Sequence, residues 1–110
     1  MALNDFRLCA NQTDNSFVTV LADDDKVRVV CRLSQADIED SVGGNPSPED
    51  RKRIVSEGLE RIGAVLSLKY EAKEYVPYID RFGISNEYTV EVALGLNDLS
   101  GCNLAWQKDA

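Results

Sequence analysis

From Phe17 to Leu33 the chain alternates. Phe17, Thr19 and Leu21 fall against Val18, Val20 and Ala22; Val27, Val29, Cys31 and Leu33 then fall against Arg28, Val30 and Arg32. A period of two with this density of β-branched residues predicts a β-hairpin, and Arg28 and Arg32 turn one face of its second strand toward solvent. Asp23-Asp24-Asp25 is the expected turn. Phe6, Leu8 and Ala10 repeat the pattern weakly and suggest an earlier strand. It returns most clearly from Glu87 to Leu96, where Tyr88, Val90, Val92, Leu94 and Leu96 share one face and Thr89, Glu91, Ala93 and Gly95 the other. Before it, the Val76-Pro77 step enforces extended backbone, which predicts an edge strand over Tyr75–Ile79 and a turn around Gly83 over 80–86.

Between these strands the period changes to that of a helix. Ser47 is a fitting N-cap, Pro48 suits the first helical position, and Glu49 and Asp50 put negative charge at the helix N-terminus. One long helix is predicted over Ser47–Glu74, with Ile54, Val55, Gly58, Leu59, Ile62, Val65, Leu66, Leu68, Tyr70 and Ala72 on an arc of roughly 200°. An arc so wide asks for more cover than one sheet. Gly58 and Gly63 each cost about 1 kcal/mol inside a helix, and Gly58, within the arc, is suited to close approach by a neighbouring element. A short helix from Ser34 opens with the box-like Ser34-Gln35-Ala36-Asp37, shares a face among Ala36, Ile38 and Val42, and ends at Gly43-Gly44. Asn97 to Gly101 reads as a cap or turn, and Leu104-Ala105-Trp106 is expected to fold back before a polar tail. The order is N-terminal β-hairpin, short helix, long amphipathic helix, then one or two C-terminal antiparallel strands: an α+β two-layer fold, one domain over residues 1–110.

Composition narrows the chemistry. A net charge of −7 repels phosphate backbones and disfavours a nucleic-acid partner. Arg51, Lys52 and Arg53, the densest basic run, stand between Glu49-Asp50 and Glu57 and read as a solvated helix turn. The chain has no histidine, which excludes Ser-His-Asp and Cys-His triads and His-ligated zinc within it. Three cysteines, Cys9, Cys31 and Cys102, are an odd number without metal-ligand spacing, so reduced thiols are expected, with Cys31 buried and inert on its strand face. No apolar run approaches the ~20 residues of a membrane span, and the first ten residues lack a signal-peptide core. Cytoplasmic localisation follows as an expectation.

Among residues that can carry chemistry, Lys69 projects from the apolar arc near the helix end, close to Tyr70 and to Tyr75 and Tyr78 in sequence. A desolvated lysine there would serve as base or nucleophile; the plainer role is a snorkelling side chain near the helix C-terminus. Those tyrosines with Tyr88, Phe82 and Trp106 would line a pocket or a protein interface, although core and edge packing account for most such aromatics. Asp23-Asp24-Asp25 offers oxygen ligands that converge poorly for a cation, and Asp37, Glu39 and Asp40 read as the charged face of a short helix. No cofactor, metal or catalytic set is predicted.

The stretch Val27-Arg28…Cys31-Arg32, followed by Ser34…Ala36…Ile38-Glu39-Asp40, Arg61-Ile62…Lys69-Tyr70 and Asn97-Asp98-Leu99, resembles a family of short bacterial proteins of unassigned function. Leu66, where that family would have a small residue, and the segment 75–86 depart from it. The resemblance implies the two-layer fold and no activity. Taken together, these features predict a small acidic protein acting through protein contacts as a homodimer, with Lys69, Tyr70, Tyr75, Tyr78 and Trp106 as candidate interaction or pocket residues. Two alternatives stand beside it. One is a small-molecule binder or minor enzyme using Lys69 and nearby tyrosines; the other is an acidic inhibitor that mimics nucleic-acid charge.

Overall fold

Alternating apolar residues build the sheet first. A computed structural model describes residues 3–9, 16–80 and 82–106, and among these the chain forms five strands and four helices. The strands are β1 (Asn4–Leu8), β2 (Phe17–Asp24), β3 (Val27–Ser34), β4 (Val76–Ile79) and β5 (Ser85–Glu91). The helices are α1 (Gln35–Val42), α2 (Pro48–Glu57), α3 (Leu59–Glu71) and α4 (Leu96–Ser100). Sheet order is β1-β2-β3-β5-β4, antiparallel throughout except where β5 runs parallel to β3. The fold is α+β, as the alternation of periods predicts, and its sheet is mixed because the helices separate β3 from β5. Ala10, of the expected first strand, and the polar tail beyond Trp106 lie outside the described residues.

One face of the sheet carries the core. Val18, Val20, Ala22, Val29, Cys31 and Leu33 are buried there against Ile38 of α1, Ile54 and Val55 of α2, Ile62 and Leu66 of α3, and Leu99 of α4. A thickness of 21 Å is what one helix layer on one sheet gives.

The expected single long helix is two. Gly58 adopts φ −95°, ψ 10° and separates α2 from α3, yet its N–H still donates to Ile54 O at 3.1 Å and its carbonyl accepts from Ile62 N–H at 3.0 Å. These two bonds bridge the break, while the regular helical ladder is interrupted at Gly58. A Cβ on Gly58 would lie 2.4 Å from Leu104 Cδ2, so the close approach anticipated there is made by the C-terminal segment. Gly63 likewise admits Phe6 of β1, whose ring would meet a Cβ at 3.0 Å.

α3 also stops three residues short of Glu74. Lys73 takes a left-handed φ of 62°, while its N–H donates to Tyr70 O and Glu74 N–H donates to Lys69 O. That is a Schellman closure with lysine in the place glycine usually fills, so no glycine marks the stop along the chain.

Further differences concern single residues. Leu68 and Ala72, predicted on the apolar arc, are exposed, Leu68 by 68%. Arg51, predicted solvated, is 4% exposed and donates from Nη1 to Pro46 O at 2.8 Å, tying α2 to the preceding loop. The hairpin turn is tighter than Asp23-Asp24-Asp25: Asp24 pairs with Val27, leaving Asp25 (φ 50°) and Lys26 at the tip. β5 ends at Glu91, five residues before Leu96, because Gly95 starts α4 with its N–H donating to Asp98 Oδ2 at 3.0 Å. Ser34 and Ser47 cap α1 and α2 as predicted, accepting from Asp37 N–H and Asp50 N–H at 3.2 Å each. Pro77 sits in the edge strand β4 opposite Val90.

Candidate functional site

The sheet has a second face, made by the other half of the alternation, and no helix among the described residues covers it. Phe17, Thr19 and Leu21 of β2 share it with Arg28, Val30 and Arg32 of β3 and with Thr89 and Glu91 of β5. Charged pairs cross the strands. Arg7 Nη1 reaches Asp23 at 3.1 Å, Arg28 Nε lies 3.6 Å from Asp23, and Arg32 makes two hydrogen bonds to Glu91 at 2.9 and 3.2 Å while its guanidinium stands 5.5 Å from the Phe17 ring centroid. On this acidic chain the outer face is thus locally neutralised. The hydrogen bonds to Glu91 are the main cause that holds the Arg32 guanidinium in its charged form, pushing its pKa above the usual value.

In the middle of that face lies an open groove of ≈ 940 Å³. Its floor is Leu21, Val30 and Cys9; Val30 is only 5% exposed although no helix covers it. The walls come from Arg28 and from the β4–β5 arm, through Tyr78, Asp80, Ile84, Glu87 and Tyr88. The arm is also the most apolar exposed part of the described chain, with Val76, Ile79, Phe82, Ile84 and Tyr88 all more than half exposed. Its tip is held by Asp80, whose Oδ1 accepts from both Phe82 N–H and Ile84 N–H at 2.9 Å.

Of the residues singled out in the sequence, only Tyr70 and Tyr75 meet. Lys69 is partly exposed and its Nζ lies 3.6 Å from Asp98 Oδ2, so its role is an ion pair with α4. Tyr70 stacks on Tyr75 with centroids 5.3 Å apart and donates its hydroxyl to Asp24 at 2.7 Å. Burial first, then that hydrogen bond, push the Tyr70 phenol up to about 12. Tyr78 alone of the five stands in the groove. Trp106 folds back, as predicted, to cover Gly44 and donates to Asp50 at 3.4 Å. The three cysteines are free thiols. Burial pushes the Cys31 thiol up to about 12 and raises that of Cys102.

Sequence reasoning missed the groove for a physical reason. Its floor residues read as the solvent face of a strand, and only the arm folding alongside gives that face walls. A signal existed in the run of exposed Ile79, Phe82 and Ile84 around Gly83, more apolar than a solvated turn needs. Among the described residues no three or more Cys, Asp or Glu side chains converge as a metal-binding group, and no helix is long and apolar enough to cross a membrane. Compared with known proteins, the chain matches no described family, no curated protein and no solved structure.

Proposed function

We propose that this is a small protein-interaction module that works as a homodimer through the outer sheet face and the β4–β5 arm, by contact rather than by catalysis. The observation that carries this is the number of exposed apolar side chains on the arm beside a charge-paired sheet face that no helix among the described residues covers. Exposed apolar patches of this kind on a small domain mark interaction surfaces. Lys69, the stacked pair of Tyr70 and Tyr75, and Trp106 stand in separate places, outside the groove, which supports contact over a small-molecule or enzymatic role. The pairing of Asp23 and Glu91 with arginines removes an anionic strip from this face and gives charge mimicry of a nucleic acid little support there. Three free thiols, two of them buried, favour the cytoplasm as its compartment.

Light scattering coupled to size exclusion tests the proposal. At ~100 μM, a concentration above the Kd of an ordinary micromolar homodimer, twice the chain mass is expected; the mass of one chain would overturn the homodimer.

A further inference from the structure

We propose that the outer groove is filled by the Phe82 tip of a second copy of this chain, each protomer completing the groove of the other. The assignment rests on the homodimer proposed above and names the part of the partner that docks.

The tip is built to present its side chain. Asp80 Oδ1 accepts from the N–H groups of Phe82 and Ile84, Asp80 N–H donates to Ile84 O at 3.0 Å, Gly83 N–H donates to Asp80 O at 3.0 Å, and Gly83 supplies the left-handed φ of 76° that closes the turn. Phe82 stands 73% exposed on this frame. A turn whose backbone is fixed before binding leaves only the side-chain rotamer to be ordered when the aromatic docks, which favours Phe82 as an interface anchor. The groove offers the matching hole: an apolar floor of Leu21, Val30 and Cys9, and a volume ample for an aromatic ring.

Position favours a two-fold arrangement. In an isologous interface one patch must carry both knob and hole. Here Asp80 and Ile84 flank Phe82 in the turn and line the groove as well, so knob and hole share a rim. A two-fold axis at that rim carries each tip over the other groove. The area is sufficient. The exposed parts of Val76, Ile79, Phe82, Ile84 and Tyr88 amount to on the order of 500 Å² of apolar surface, most of the ~800 Å² per partner of a standard interface. Pairing of β4 edges is the competing arrangement, and Pro77 disfavours it, because a four-residue edge strand with a proline lacks a donor for a continuous ladder.

Mixing native chain with the Phe82→Cys/Cys9→Ser variant tests the contact, because a disulfide between position 82 and Cys9 can then form only between two chains. In oxidised glutathione at ~100 μM, where the homodimer is populated, the expected product is a covalent dimer joined through Cys9 of the native chain, mapped by mass spectrometry. Phe82→Ala in the native chain should weaken self-association at least about ten-fold by analytical ultracentrifugation, the loss of one interface anchor. A mixture of dimeric mass that gives no link to Cys9, or a Phe82→Ala chain that dimerises as tightly as the native one, would overturn the docked tip and leave the homodimer standing. A native chain of single-chain mass would remove both.

Discussion

Tyr70 shows how one side chain joins separate elements. From α3 it reaches the end of β2 to donate to Asp24 and stacks on Tyr75 beyond the helix end, so helix layer, hairpin and the start of the arm meet at one ring. Its phenol ionises at about 12 in the folded chain, with burial the larger cause and Asp24 the second, against roughly 10 in an unfolded one. A group raised in the fold stabilises fully below its unfolded value and stops doing so as pH climbs through its folded value. This contribution is therefore intact below about pH 10 and is lost toward about pH 12. Tyrosinate absorbance should show a phenol ionising near pH 12 that vanishes in Tyr70→Phe; Asp24→Asn should bring it part of the way down, since burial remains. An unchanged titration in Tyr70→Phe would place that phenol elsewhere. Asp24 was legible only as one of three aspartates in a turn; which acid the strand pairing would keep out of the turn was not.

At the scale of elements, the helix pair shows what periodicity can and cannot settle. Ile62 and Leu66 are fully buried where the 3.6-residue period put them, while Leu68, counted on the same arc, faces water. The arc was drawn too wide: at about 100° per residue Leu68 lies roughly 160° around α3 from the buried Leu66, at the edge of the arc, where neither sheet nor neighbouring helix covers it. Ile62→Ala should cost about 2–5 kcal/mol in chemical denaturation, through lost burial and the cavity left behind, whereas Leu68→Ala should cost under about 0.5 kcal/mol in the monomer. Equal losses would mean that the buried face is misassigned. The apolar surplus that the sequence assigned to the helix lies instead on the β4–β5 arm.

The whole molecule is an elongated slab, 46 × 30 × 21 Å, with helices on one side and the groove on the other. That asymmetry sorts the cysteines. Cys31 and Cys102 are buried in the helix-covered core, both with thiols raised by burial, while Cys9 is half-buried on the groove floor. Thiol titration of the native fold, at a dilution where the chain is monomeric, should therefore find one fast group, removed by Cys9→Ser, and two more only on unfolding. Fast reaction of Cys31 in the native state would show that the core is open. One of the three environments follows from sequence, since the thiol of Cys31 beside Val29 and Leu33 on a strand is core. The place of Cys9 depends on strands more than sixty residues apart.

Local rules written in adjacent residues were enough for the two periods, the serine caps on α1 and α2, the edge strand around Pro77 and the α+β class. Each is decided by side-chain alternation, a missing N–H or a cap within four residues. What the tertiary structure alone decided depends on contacts between distant segments. Leu104 packs on Gly58 at the bend, Arg51 is buried against the loop, Lys69 is claimed by Asp98, and β5 lies parallel to β3. The groove arises from that last pairing, because it sets the β4–β5 arm beside the open face of β2 and β3, and no local pattern encodes which strands become neighbours.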